Sequence, residues 1–237
     1  MNEVLLIGIA LMTSVITAIF GLGGGLMLIA FMPGLLPAVA IIPVHSVAQL
    51  ASNASRAALT YRAIQWEYGL SFLMGSVFGG LFAAQLTQFI NLDYIPLFIG
   101  AFILFNVWGP KLQLRSNPKG EFVTIGFLQT ALGMVVGATG PMGLSTLVRK
   151  NLHRDALVVT SALFMTITHT VKIILFGFIG FSFAEYWQLC VGMVIAVILG
   201  SLIGTHMRHR VADQRFHLIL KLILTALAIR MIVNTLW

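Results

Sequence analysis

A chain of 237 residues in which 59% are hydrophobic and only 9% charged cannot build a water-soluble surface, for which roughly 25% charged residues is usual. Its net charge of +7 would point to nucleic acid or anionic lipid in a soluble protein, but in an apolar chain what matters is where the charges sit. The single cysteine, Cys190, excludes an internal disulfide, argues against a thiolate metal cluster and reads as an apolar core residue.

Met1-Asn2-Glu3 lacks the basic stretch that opens a cleaved signal peptide, so the first helix is expected to stay in the mature protein. No Asp, Glu, Lys or Arg lies between Glu3 and Arg56. A straight helix of that length, at about 1.5 Å per residue, would run more than twice the hydrocarbon thickness. The chain must therefore turn back, and Gly21-Leu22-Gly23-Gly24-Gly25 is the natural bend of a hairpin over Val4 to Leu36. Next comes a segment carrying His45, Ser52, Asn53 and Arg56, then charge-free windows from Tyr68 to Leu92 and from Tyr94 to Pro110. A polar loop from Lys111 to Gly120 follows. Beyond it lie charge-free windows from Phe122 to Val148, Ala156 to Val171 and Tyr186 to Met207, and a last helix in which Lys221 and Arg230 are expected to snorkel to the two interfaces. These windows are apolar on all sides, whereas a transmembrane barrel would alternate apolar and polar residues over segments of about ten. The predicted class is an all-α integral membrane protein.

Self-similarity is visible within the chain. Gly21 to Gly25 matches Gly137-Ala138-Thr139-Gly140-Pro141 at an offset of 137 − 21 = 116. The same offset sets Arg56 on Lys172, Asn53 on His169, Ser52 on Thr168 and His45 on Ser161. Gly75-Ser76-Val77-Phe78-Gly79 matches Gly200-Ser201-Leu202-Ile203-Gly204 after a short insertion. Residues 1–110 and 121–237 are thus expected to be two transmembrane repeats joined by the linker 111–120.

Of the 14 basic residues, ten fall in four short loops, at Arg62, at Lys111, Arg115 and Lys119, at Arg149, Lys150 and Arg154, and at Arg208, Arg210 and Arg215. Lys and Arg are retained in cytoplasmic loops, whereas the connections at Glu3, Asp93 and Glu185 hold acids and no Lys or Arg. The segment from Phe122 to Val148 must then begin and end in the cytoplasm, and the hairpin from Val4 to Leu36 outside. Each repeat becomes a glycine-bent hairpin plus three transmembrane helices, about eight to ten membrane segments in all. The second copy is inverted relative to the first, an architecture of secondary transporters that bind substrate near the midplane.

Non-helical backbone at membrane depth needs partners, and an anion supplies them. Pro141 suits the first position of a half-helix, whose amides and positive dipole end favour negative charge, and the helix after Gly25 would do the same from the other side. Gly23, Gly24, Gly25, Thr139, Gly140 and Pro141 are the candidates at the bends; close helix packing is the competing use of such glycines. Arg56 and Lys172 are charges within apolar helices, which by default mark function, one facing each entrance; Arg56 also lies near enough to Arg62 to snorkel. Ser52, Asn53, Thr168 and His169 lie about one turn deeper and suit hydrogen bonds to oxyanion oxygens, while His169 also suits a coupled proton. No metal site or cofactor is expected. No phosphate loop, ATPase motif, Gly-x-Ser-x-Gly or His-Glu-x-x-His occurs, which argues against an enzyme.

The pairs Gly21 to Gly25 with His45-Ser46-Val47-Ala48-Gln49-Leu50 to Arg56, and Gly137 to Gly143 with Thr160-Ser161-Ala162 and His169-Thr170-Val171-Lys172, resemble the sulfite exporter TauE/SafE family of membrane permeases. The resemblance covers nearly the whole chain and implies a two-repeat permease for small sulfur-containing or organic anions such as sulfite, thiosulfate, sulfonates or sulfoacetate. Thr139 and Pro141 depart from the glycine-rich pattern of the first copy. The expected protein is a multi-pass secondary transporter of the cell inner (plasma) membrane. Its partners are a small anion and the lipid bilayer, not nucleic acid, with room for a coupling proton or sodium ion and for a homodimer. The alternatives are a passive anion channel, a membrane-embedded assembly factor and, least favoured, an intramembrane hydrolase.

Overall fold

The computed structural model describes residues 2–20, 23–59, 61–110, 120–207 and 214–237. Gly21 and Leu22 of the first bend, Lys111, Arg115 and Lys119 of the linker, and Arg208 and Arg210 lie outside the described residues, as does the side chain of Arg215. The described chain is helical: α1 (Asn2–Phe20), α2 (Gly24–Phe31), α3 (Ala38–Leu59), α4 (Trp66–Thr87), α5 (Ile95–Trp108), α6 (Glu121–Val136), α7 (Pro141–Val148), α8 (Arg154–Phe178), α9 (Trp187–Met207) and α10 (Gln214–Leu236).

Among the described residues, five segments are long and apolar enough to cross a membrane: Asn2–Phe20, Trp66–Thr87, Asp155–Phe178, Phe183–Met207 and Leu218–Leu236. The helix α3 matches α4 in length, but His45, Ser46, Gln49, Ser52, Asn53, Ser55 and Arg56 dilute its apolar character. At 8 residues each, α2 and α7 reach about 12 Å, less than half the hydrocarbon thickness. The short arm of each hairpin is therefore re-entrant in length. Large apolar side chains such as Phe78, Phe82, Ile195, Leu199 and Leu202 face outward, where only lipid solvates them at no cost.

Helix packing pairs the two halves crosswise: α1 lies along α9, α6 along α4, and α3 along α8. The glycine motifs make these contacts. Gly75 and Gly79 of α4 rest on the backbone of Val123 and Phe127 in α6, and Gly200 and Gly204 of α9 rest on the backbone of Leu11 and Val15 in α1. Ser201 Oγ reaches Ser14 Oγ at 3.0 Å, and Ser14 donates to the Val197 carbonyl at 2.6 Å. Small residues at four-residue spacing let membrane helices approach to backbone contact.

Arg149 and Lys150 lie at one end of the helices, and Asp93 and Glu185 at the other, where Arg230 shares a cavity with Asp93. At the basic end the buried carboxylate of Glu121 pairs with Arg149 and, at 2.8 Å, with Lys150, tying the start of α6 to the residues just beyond α7. At the acidic end Ala38, Leu92 and Glu185 surround a cavity of about 840 Å³. Lys221 lies over the Trp108 ring at 4.6 Å, and Trp108 donates to Thr225 at 2.8 Å.

Candidate anion site

The site sits where α3 and α8 cross the two hairpin bends. At the first, Gly23 has φ +93°, a left-handed conformation that a side chain resists, and Gly24 lies so close to Thr13 and Thr17 of α1 that a Cβ would overlap them. At the second, Gly137 takes φ +77° with Ile29 of α2 and Ile42 of α3 packed against its Cα. The side chain of Ile29 thus holds α2 against the second bend.

Lys172 is fully buried, and its Nζ donates to the Gly137 carbonyl at 2.8 Å. An ammonium has three donors, and the carbonyl takes one. One turn earlier on α8, His169 is fully buried with no partner for Nδ1 or Nε2, and Thr168 receives Gln129 Nε2 at 3.1 Å. From α3, His45 stands edge-on to His169 with ring centroids 5.8 Å apart. Its Nε2 lies 3.0 Å from the Gly25 carbonyl, which only accepts, so Nε2 carries the hydrogen and Nδ1 is left as a buried acceptor without a partner.

Gln129 of α6 ties the second bend. Its carbonyl accepts from Thr139 Oγ1 at 2.8 Å, and its side-chain oxygen accepts from the Gly143 amide at 2.8 Å. Those bonds cap the start of α7, which Pro141 opens, with Gly140 beside Met165. Gln49 stands over Gly25 in the first hairpin.

Lys172, His169, Thr168, Thr139, Gly137 and Gly25 therefore come together, along with His45 and Gln129, whereas Gly23 packs on Leu220 and Gly24 on α1. The other candidates lie farther along α3. Arg56 follows His45 by 56 − 45 = 11 residues, about 16 Å of helix. It donates to the Ser52 carbonyl at 3.2 Å and to Asn53 Oδ1 at 2.7 Å, while Asn53 Nδ2 donates to the Gln49 carbonyl at 2.7 Å. Ser52 is buried with its Oγ 3.5 Å from Ser14 Oγ.

The sequence reading missed Gln129, although an amide in the charge-free run from Phe122 to Val148 is a signal in itself. The acidic-end cavity reaches Ile42, Met134 and Leu175, each three residues from His45, Gly137 and Lys172 respectively. Among the described residues no group of three or more His, Cys, Asp or Glu is arranged to hold a metal.

Several apolar spans, two arms too short to cross a bilayer and buried polar atoms without partners near their bends are consistent with a multi-pass membrane permease that has a polar centre. The chain matches the family sulfite exporter TauE/SafE over residues 6–231, and it belongs to that family. Membership implies transport of sulfur-containing anions and argues for a transporter in place of an enzyme. No curated protein and no solved structure matches the chain.

Proposed function

We propose that the chain is a secondary transporter of a small sulfur oxyanion or organosulfonate, of which sulfite, thiosulfate and sulfoacetate are the candidates, working by alternating access in the inner membrane. The observation that carries this is Lys172, a fully buried lysine with a single carbonyl partner beside the two unpartnered nitrogens of His169. A buried polar group left unpaired costs about 1–3 kcal/mol, and an oxyanion would pair several such groups at once.

The two halves read as inverted repeats that rock about this centre. Support comes from the crosswise packing of α1 on α9 and α4 on α6, which a two-fold axis would generate. In this reading the acidic-end cavity is the outer vestibule, and Arg56 guards passage toward the basic end. With the cell interior negative, expelling a monovalent anion gains about 2.3 kcal/mol per 100 mV, so export needs no coupling ion by itself.

The test combines binding and flux. Sulfite, thiosulfate, methanesulfonate and sulfoacetate should raise the melting temperature of the purified protein, since a ligand of the folded state stabilises it. Lys172→Gln should lose both that shift and flux into proteoliposomes. Arg56→Gln should keep the shift and lose at least tenfold in flux. Absence of any shift or flux with all four anions in the wild type would sink the proposal.

A further inference from the structure

From the geometry around His45 we infer that the anion does not travel alone: His45 Nδ1 takes up one proton when the anion binds and releases it when the anion leaves. The inference rests on the transporter reading above and adds His45 as the proton carrier.

The hydrogen-bond inventory leads there. His45 Nε2 is committed as a donor to the Gly25 carbonyl at 3.0 Å, so the neutral ring offers Nδ1 only as an acceptor. That atom is buried and has no partner. The neighbours across the gap do not supply a donor to it: Lys172 Nζ is drawn to the Gly137 carbonyl, and both His169 nitrogens are unpartnered. An aprotic anion, being an acceptor itself, cannot satisfy Nδ1 either. Protonation turns Nδ1 into a donor, and the imidazolium then holds Gly25 with one hydrogen and the anion with the other. With His45 neutral, two buried acceptors lack a donor, His45 Nδ1 and one nitrogen of His169, and protonation of His45 removes the first.

Electrostatics couples the two events. The charged or titratable groups facing His45 are His169 and Lys172, both on α8. On the other elements packed against α3, Glu121 of α6 and Cys190 and His206 of α9 lie within the first or last turn of their helices. Asp93, Tyr94, Glu185 and Tyr186 lie in the short connections before α5 and α9, and α2 has no titratable residue. Among the described residues no carboxylate therefore shares the centre. A second cation beside Lys172 is repelled until an anion is bound, and reciprocally the proton strengthens the hold on the anion. The balance is one proton and one anion in, the same two out. With the proton aboard, a monovalent anion moves no net charge beyond that of the empty carrier, so the voltage that would drive an uncoupled anion outward has no hold on it, and the anion and pH gradients together set its direction.

Methanesulfonate is the decisive probe, because as the anion of a strong acid it brings no proton of its own. Wild-type protein is reconstituted into liposomes containing a pH-sensitive dye, with potassium and valinomycin holding the voltage at zero. An inward methanesulfonate gradient should acidify the lumen in step with anion uptake. In His45→Gln, whose amide still donates to Gly25 but does not titrate, the acidification should fall at least tenfold relative to the anion moved.

Methanesulfonate uptake by the wild type without acidification would overturn the inference and leave the transporter reading intact. So would acidification seen with sulfite alone, since the proton then rides on the ligand, or uptake that requires sodium. Undiminished acidification in His45→Gln would overturn it as well. Should that variant fail to fold, His45→Asn, which also bears an amide and does not titrate, takes its place. No transport of any anion would fail the underlying reading and the inference with it.

Discussion

Gln129 shows how a neutral side chain governs a charged ligand's site. Its oxygen occupies the Gly143 amide at the start of α7, and its nitrogen is given to Thr168, next in sequence to His169. Gln129→Glu keeps the size and the acceptor toward Gly143 but places a negative charge among groups arranged for an anion. At an effective dielectric near 20, two like charges 4 Å apart repel by about 4 kcal/mol, enough to remove binding altogether. The expected result is a folded protein whose melting temperature no longer responds to sulfite or methanesulfonate, with at least a tenfold loss of affinity. An unchanged shift would mean that the anion binds away from α7. Residue by residue, the sequence pointed to Lys172 and His169 because charge and imidazole stand out in an apolar run. It underrated His45, whose importance lies in a ring contact with His169 across 169 − 45 = 124 residues. No periodicity within one helix carries that pairing. Arg56 matches Lys172 in register, 56 − 21 = 172 − 137 = 35 residues after the first glycine of its bend, yet it hydrogen-bonds Ser52 and Asn53 of its own helix, whereas Lys172 reaches the Gly137 carbonyl.

Between elements, the glycine motifs of α4 and α9 do more than mark a repeat. Each is the contact surface on which a hairpin arm from the other half of the chain lies. A Cβ at Gly204 would fall 2.5 Å from the Val15 carbonyl oxygen and 2.7 Å from Ala18 Cβ, and one at Gly79 would overlap the Phe127 backbone. Gly79→Ala and Gly204→Ala should each cost about 1–3 kcal/mol by forcing helices apart, read as a lower melting temperature in detergent. Gly8→Ala is the control: nothing lies within 4 Å of its Cβ, and replacing a helical glycine there should be neutral or stabilise by about 0.5–1 kcal/mol. Equal destabilisation at all three positions would show that helix contact is not what these glycines provide. The motifs were legible in the sequence as a matching pair, but which helix each would meet was not. Self-similarity compares like with like, whereas the contacts join α4 to α6 and α9 to α1, which are unlike partners.

For the molecule as a whole, the distribution of charge is the strongest statement about orientation. Arg149 and Lys150 gather with Glu121 at one end, and Asp93 and Glu185 lie in the connections at the other. Retention of Lys and Arg in the cytoplasm would put the large cavity outside and the Glu121 cluster inside. Asn91 and Asn151 are exposed residues in connections at opposite ends, and Cys190 is buried, so a Cys190→Ala background offers two clean reporter positions. In intact cells a membrane-impermeant maleimide should label Asn91→Cys directly and Asn151→Cys only after permeabilisation. Reversed labelling would turn the protein over and make the cavity face the cytoplasm. Labelling of both from one side would break the alternation of helices between residues 91 and 151. In that case the bends that meet at Lys172 would not belong to oppositely oriented hairpins, and a carrier that exposes one centre to each side in turn would lose its structural basis.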